Sequence, residues 1–129
     1  MVTYNRLDQL RKTVGRLLES SAAELTGLVV VDSSAFGPTG PWAKRLGYGP
    51  LVRAAAGFTN LWVYPGEPET FCDTVTVYPD HVSARIGALC AIALLLRRER
   101  TGTGGAASIS QAEVMLSHLA ADIAADALH

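Results

Sequence analysis

The chain has 129 residues, with 11 Lys or Arg against 12 Asp or Glu, so its formal net charge is −1 at pH 7. This near-neutral balance gives no reason to expect nucleic acid or an anionic membrane as a partner. The two cysteines make no disulfide framework, and we expect a protein of the reducing cytoplasm. The length suits one domain, which we place at residues 1–129.

The first elements are a helix and a strand. Residues 5–19 carry leucine and valine at the spacing of one helical face, with charged side chains around the rest. This pattern predicts an amphipathic helix rather than a secretory signal, which has an apolar central region. The run LVVVD at 28–32 is short, apolar and β-branched. It predicts a strand buried on both faces, as in a parallel sheet.

A segment rich in glycine and proline follows the strand. Four glycines and three prolines lie between positions 37 and 50, which predicts a long ordered loop. Because open α/β sheets bind ligands at the carboxyl ends of their strands, this loop is a candidate binding segment. We expect residues 51–63 to be helical, 64–73 to form a second loop and 74–78 to be a short extended piece.

Asp80 directly precedes an apolar run that ends in a basic cluster and a glycine-rich turn. The run predicts a buried helix that ends at Gly102. Its apolar stretch at 86–96 is shorter than the about 20 residues that span a bilayer. Ser83, Gly87 and Ala91 form a small-residue stripe that lets another element approach closely. By position alone, Asp80 is most simply the N-cap of this helix.

The last elements are a short strand at AASIS and an amphipathic helix at 111–128. The expected buried positions of that helix are Val114, Leu116, Leu119, Ile123 and Leu128. Together the elements predict an α/β fold, a partial Rossmann-like parallel sheet flanked by helices. Because the strands are few for so much helix, we expect the chain to be part of a larger sheet.

Three sequence blocks carry a family resemblance. The first is LVVVDSSAFGPTGPWAKRLGYGPLVRAAAGFT, the second is the helix that ends LLLRRERTGTGG, and the third is ASISQAEVMLSHL. In this order and spacing they resemble the class III CoA-transferases, the family that includes formyl-CoA transferase, carnitine CoA-transferase and α-methylacyl-CoA racemase. Because complete members are much longer, the chain resembles the central part of the large domain of one subunit.

The resemblance implies an activity and a nucleophile. Family members transfer CoA from an acyl-CoA to a carboxylic acid, and their catalytic aspartate falls at Asp80 of this sequence. There the carboxylate attacks the donor thioester, and the resulting mixed anhydride becomes an aspartyl-CoA thioester from which the acceptor acid takes the CoA. The implied coenzyme A thioester is a substrate, and no prosthetic group is expected.

The resemblance also implies substrate contacts in the glycine- and proline-rich loop. The candidate lining residues are Phe36, Gly37, Leu46 and Tyr48. The racemase branch has a histidine base at the position of Tyr48. Because a phenol ordinarily titrates near pH ~10, a racemase-like enzyme is a disfavoured second hypothesis. Gly49 stands where the transferase branch commonly has an acid. This leaves open a third hypothesis, a catalytically silent fragment or scaffold subunit of a CoA-transferase-like complex.

The expected partners also follow from the family. Its members form interlocked dimers, so we expect a homodimer or a complementing chain, with no nucleic acid and no membrane as partner. His81 is expected to be solvated or structural, because adjacent residues at a helix start point in different directions. His118 and His129 have no companions at metal-ligand spacing, so no metal site is expected.

Overall fold

The structure is a computed structural model of the chain, and it describes residues 6–21, 27–71 and 77–128. Its helices are α1 (Arg6–Ser21), α2 (Gly49–Ala55), α3 (Tyr78–Thr101), α4 (Gln111–His118) and α5 (Ala120–Asp126). Its strands are β1 (Val29–Ser34), β2 (Val63–Tyr64), β3 (Glu67–Phe71) and β4 (Gly105–Ser110), and a 3₁₀ turn spans Phe58–Leu61. The α/β prediction is confirmed, as are the first helix and both predicted strands.

The sheet that organises the site is the parallel pair β1 and β4. Its register runs from Val29 opposite Gly105 to Ser34 opposite Ser110. Parallel strands need a crossover connection. Helix α3 is the last element of that connection, and it packs against both strands. Because α3 ends near the start of β4, its own first turn lies at the carboxyl end of the sheet. The loop after β1 and the start of α4 lie at that same end.

The predicted small-residue stripe of α3 faces this sheet. Ser83 is 1% exposed, and a β-carbon at Gly87 would lie 3.4 Å from Cδ1 of Ile109 and 3.7 Å from Cγ1 of Val31. Glycine therefore leaves α3 close above the two strands, as the stripe predicted. Since side chains alternate along a strand, the neighbours of Val31 and Ile109 point to the opposite face.

That opposite face is polar at its centre, so the prediction of a strand buried on both faces is wrong. Asp32 and Ser108 are both exposed, and the Ser108 hydroxyl donates a hydrogen bond of 3.4 Å to Oδ2 of Asp32. One face of β1 packs on α3, and the other presents these two side chains to solvent. Within the described residues, the apolar run LVVVD is therefore covered by a helix on one face only.

The region from 51 to 71 differs from its prediction. Helix α2 ends at Ala55. Gly57, two residues later, has a positive φ of 79° and precedes a 3₁₀ turn. The predicted loop at 64–73 instead contains an antiparallel hairpin of β2 and β3. Its turn includes Gly66 at a φ of 82°, a conformation open to glycine at little cost. Of the predicted extended piece at 74–78, residues 74–76 lie outside the described ranges, and Tyr78 begins α3.

The carboxyl-terminal segment forms two helices, α4 and α5, rather than one. The predicted buried positions divide with them: Leu119 is 7% exposed, but Leu116, Ile123 and Leu128 are 46%, 54% and 85% exposed. Val114 is half-buried. The physical reason is that α4 packs against α2, α3 and β4, whereas the contacts of α5 are mainly with α4. Residues beyond Leu119 thus have little described surface to cover them.

The small core lies directly beneath the carboxyl end of the sheet. Val52 of α2 and Met115 of α4 are each 0% exposed, and Ala56 is 8% exposed. Partly buried side chains pack around this cluster, including those of Ala35 and Tyr78. The core therefore joins α2, α4 and the first turn of α3, the three helices whose starts surround the candidate site.

The outer face of α3 is apolar and exposed, which corrects the prediction of a wholly buried helix. Leu89 and Ile92 are 66% and 55% exposed, and Leu95 and Leu96 are 46% and 48% exposed. By length and composition alone, the 24-residue α3 is apolar enough to cross a membrane. A single helix of this kind is weak evidence for a span, because core helices of soluble proteins share these properties. In α3, 17% of the apolar window is buried inside the described structure, and the small-residue stripe packs on the sheet.

Candidate functional site

Asp80 is the third residue of α3 and not its N-cap, so the capping prediction is wrong. Val77 holds the cap position, and no side-chain hydrogen bond caps the helix. The Asp80 N–H donates to the Val77 carbonyl at 3.0 Å. Pro79 explains the earlier start, because proline is favourable in a first helical turn, where its missing N–H has no partner to lose. The carboxylate still lies in the first turn, where the helix dipole favours negative charge.

The two oxygens of the Asp80 carboxylate have different surroundings. Oδ1 accepts a hydrogen bond of 3.1 Å from Nε2 of Gln111. Oδ2 is buried and has no hydrogen-bond partner within the part of the chain that the structure describes. A buried polar atom without a partner is uncommon, and a catalytic role is one of its explanations. The hydroxyls of Ser34, Thr59 and Ser83 are also buried and without a partner among the described residues, so the location of Asp80 and not this property alone marks it as a candidate.

Gly49 packs directly on this carboxylate. A β-carbon at Gly49 would overlap Oδ2 of Asp80 and would lie 2.9 Å from Cβ of Val77. Real β-carbons essentially never approach other atoms this closely. Glycine is therefore required for the first residue of α2 to reach the start of α3. The family resemblance implied only that an acid is missing at position 49, and the structure adds that a β-carbon there would be too close to Asp80 and Val77.

Gln111 comes from the junction of β4 and α4, which is held in place on both sides. The Ser110 hydroxyl caps α4 by accepting the Glu113 N–H at 3.4 Å. The Ala112 N–H donates to the Ala35 carbonyl at 3.0 Å, which ties α4 to the loop after β1. Asp80 and Gln111 are 31 positions apart, yet the parallel sheet brings their elements to the same end.

The four candidate lining residues divide into two pairs. Gly37 is buried at a φ of 80°, and a β-carbon there would lie 3.3 Å from Cβ of Ser110, so Gly37 borders the start of α4. Tyr48 is the N-cap residue of α2, next to Gly49, and its side chain is 59% exposed. Tyr48 is therefore adjacent to the residue that packs on Asp80, whereas Gly37 borders the residue that precedes Gln111.

Phe36 and Leu46 belong to the loop itself. The Phe36 ring packs edge-on against Trp42, with 5.4 Å between the ring centroids. Leu46 is 53% exposed and Trp42 is 43% exposed. This part of the loop therefore presents the apolar side chains of Trp42 and Leu46 to solvent.

An aromatic cluster supports the first turn of α3. The Tyr78 ring stacks on Phe58 at 5.5 Å with 20° between the planes, and Trp62 meets both rings edge-on. The guanidinium of Arg53, a residue that is 0% exposed, lies 5.1 Å from the centre of the Trp62 ring. Because Tyr78 is two residues before Asp80, this packing fixes where α3 begins.

Neither of the two described histidines, His81 and His118, has a hydrogen bond to Asp80. His81 is exposed, in agreement with the prediction of a solvated side chain. Nδ1 of His118 lies 2.8 Å from the Val114 carbonyl within its own helix, and its ring meets the edge of Tyr78.

The site residue that the sequence did not predict is Gln111. Its one available signal was a polar side chain directly after a predicted strand.

Comparison with known proteins relates this arrangement to one family. The sequence model described as CoA-transferase family III matches residues 2–128. Probable CoA-transferase Rv1866 of Mycobacterium tuberculosis is 50% identical over 97 residues, which are 71% of this chain and 12% of that protein. The succinyl-CoA–L-malate CoA-transferase alpha subunit of Chloroflexus aurantiacus is 31% identical over 78 residues, which are 60% of this chain and 18% of that subunit.

Solved structures agree in fold. A CAIB/BAIF family protein from Brucella suis superposes with a TM-score of 0.62 at 25% identity, over 75% of this chain and 25% of that one. Rv3272 from M. tuberculosis superposes with a TM-score of 0.65 at 27% identity, over 77% of this chain and 28% of that one. The chain thus spans between 12% and 28% of these four relatives. With its family match over nearly every residue, the chain belongs to CoA-transferase family III.

Proposed function

We propose that this chain is the part of a class III CoA-transferase that carries the nucleophile, and that the nucleophile is Asp80. The observation that carries the proposal is the Asp80 carboxylate itself. It lies at the carboxyl end of a parallel sheet, the usual ligand position in such folds. One of its oxygens is hydrogen-bonded to a neutral amide, and the other has no partner among the described residues. A carboxylate oxygen in such a position can act as the nucleophile of covalent catalysis.

The proposed reaction transfers CoA in balanced steps. A carboxylate oxygen of Asp80 attacks the carbonyl carbon of the donor thioester, the C–S bond breaks, and CoA leaves as the thiolate. The thiolate attacks the Asp80 carbonyl carbon of the mixed anhydride, and the donor acid leaves as its carboxylate. The acceptor carboxylate then attacks the aspartyl-CoA thioester and displaces CoA. The thiolate finally attacks the acceptor carbonyl carbon of this second anhydride, which frees Asp80.

The proposed substrates are an acyl-CoA and a carboxylic acid, with no prosthetic group. Relatives from Chloroflexus aurantiacus are named for succinyl-CoA as donor and for L-malate or D-citramalate as acceptor. For this chain we extend only the shared chemistry, a CoA thioester and an acid. The exposed side chains of Leu46 and Tyr48 are the proposed apolar contacts of the acyl-CoA, and Phe36 and Gly37 shape the loop behind them.

The active protein is proposed to contain more than these residues, as a homodimer or with a complementing chain in the cytoplasm. The support is that the relatives are several times longer than the part matched here. An assay therefore uses the native protein that contains this chain, together with its partner subunit where one exists. A catalytically silent scaffold remains the competing function, and covalent labelling separates the two.

The test is a hydroxylamine trap combined with mass spectrometry. The protein is mixed with an acyl-CoA and quenched, and hydroxylamine converts any aspartyl anhydride or thioester into a hydroxamate. We expect the modified peptide to contain Asp80 and the label to be absent in Asp80→Asn. Asp32→Asn is the matched control, because Asp32 is an exposed carboxylate on β1, and it should label normally. No label on the native protein, or a label at another residue, contradicts the proposal.

A further inference from the structure

We propose that Gln111 is a positioning residue for Asp80, and that its amide and the backbone of Gly49 together fix the plane of the carboxylate. This inference rests on the proposed role of Asp80 as the nucleophile. It adds Gln111, a residue of a different helix, to the candidate site. It also explains Gly49 as the residue whose backbone confines the Asp80 carboxylate. Three observations support it.

The first observation is the hydrogen bond from Nε2 of Gln111 to Oδ1 of Asp80, at 3.1 Å. An ionised carboxylate can only accept hydrogen bonds, so the glutamine must present its NH₂ group. A hydrogen bond to a charged group is stronger than one between neutral groups. The contact therefore favours a single orientation of the Asp80 carboxylate.

The second observation is that the Gln111 backbone is held on both sides. Ser110 caps α4, and the Ala112 N–H is bonded to the Ala35 carbonyl. One turn further along α4, Met115 is 0% exposed in the core. A side chain on such an anchored turn can hold a neighbouring group with little freedom of its own, as a precise site requires.

The third observation concerns the other oxygen. Oδ2 is buried so close to Gly49 that a β-carbon there would overlap it, and it has no hydrogen-bond partner within the described ranges. The carboxylate is thus held at Oδ1 by a donor and confined at Oδ2 by backbone. Without the donor, only packing would oppose rotation about the Cβ–Cγ bond of Asp80. Small losses of alignment of a reacting group slow chemistry strongly, by as much as about 100-fold.

The activity test measures how fast the Asp80 adduct forms in the native protein that contains this chain. Gln111→Leu removes the donor at similar volume, and the adduct rate constant should fall about 10- to 100-fold. The half-saturating acyl-CoA concentration should stay unchanged, because Gln111 contacts the nucleophile and not the substrate. In Gln111→Glu, a second carboxylate beside Asp80 should also move the acidic limb of the pH–rate profile to higher pH. Ser117→Ala, an exposed change on the same helix, is the control and should react normally.

The outcomes separate this inference from the proposed function. If the native protein forms no adduct, the nucleophile proposal fails, and the positioning role fails with it. If the native protein reacts and Gln111→Leu reacts at the same rate, only the positioning role is overturned. A raised half-saturating concentration with an unchanged rate constant also overturns it, since that result places Gln111 on the substrate.

A second measurement does not depend on catalysis. Glutamine side chains are labelled with ¹⁵N in the same protein, and the amide signal lost in Gln111→Leu identifies Gln111. This signal should move in Asp80→Asn, because the charged acceptor has been removed, and should stay in place in Asp32→Asn. A Gln111 signal that does not respond to Asp80→Asn refutes the contact even where the variants fail to react.

Discussion

Gly49 packs against the carboxylate of Asp80 so closely that the β-carbon of any other residue at position 49 would overlap Oδ2 of the aspartate. Two helix starts meet at this point, α2 through its backbone and α3 through a carboxylate. The family resemblance implied that position 49 lacks an acid that the transferase branch commonly has. The contact instead makes glycine a condition for the observed place of Asp80.

The first prediction therefore concerns Gly49→Ala. The added methyl group must displace either the carboxylate or Val77, so the free energy of unfolding should fall by about 1–3 kcal/mol. Labelling of Asp80 should fall as well. Urea denaturation and the hydroxylamine trap measure the two effects. Gly15→Ala is the matched control, because a β-carbon at Gly15 meets nothing within 4 Å. Unchanged stability and labelling in Gly49→Ala would show that α2 does not rest on Asp80.

The second prediction tests how closely α3 packs on the sheet. Gly87→Ala should be neutral or stabilising by up to about 1 kcal/mol, because its methyl group meets Ile109 and Val31 at ordinary contact distances while alanine favours the helix. Gly87→Leu should overpack the same gap and destabilise by about 1–3 kcal/mol. The midpoints of urea denaturation of the two variants measure this difference in stability. Equal stability of the two would mean that Gly87 does not face the strands.

The third prediction compares neighbours on α4. Met115 is 0% exposed and Leu116 is 46% exposed. Met115→Ala should lower the free energy of unfolding by about 2–5 kcal/mol, because it leaves a cavity in the core. Leu116→Ala should change it by no more than about 0.5 kcal/mol, as is usual for surface positions. Chemical denaturation of both variants provides the measurement, and a reversed order would contradict the observed orientation of α4.

The fourth prediction concerns the N-cap of α4. Ser110→Ala removes the acceptor of the Glu113 N–H and should cost about 1 kcal/mol of stability. Because Gln111 follows Ser110, the adduct rate at Asp80 should also fall, although less than in Gln111→Leu. Thermal unfolding and the trapping assay report the two effects. If only stability changes, the cap does not act through Gln111.

The elements that the sequence predicted well are those fixed by local patterns. Strands β1 and β4 follow from short apolar or small-residue runs, and the end of α3 follows from Gly102, which adopts a φ of 69°. The start of α3 depended on Pro79, which extended the helix by one turn toward Val77. The effect of Pro79 was not considered, so Asp80 was predicted as the N-cap. Its role as the candidate nucleophile was implied by the family resemblance.

The features that were missed depend on contacts far along the chain. Strand β3 has the sequence EPETF, whose proline and glutamates are typical of loops, and its pairing partner β2 makes it a strand. The division into α4 and α5 at Leu119 has no glycine or proline to mark it. It follows from where α2 and α3 provide a packing surface. Gln111 was missed because only the packing of α3 against β4 and α4 brings it to Asp80.

The parallel pairing of β1 with β4 also sets the order in which this protein can assemble. Asp32 and Ser108, opposite one another in the sheet, are 76 positions apart. Closing so long a loop carries an entropic cost before any contact repays it, and folding slows as contacts become less local. The hydrogen bond from Gln111 to Asp80 spans only 31 positions and joins α4 to α3. This contact can therefore form before the two strands pair, and a peptide containing α3 alone does not reproduce it.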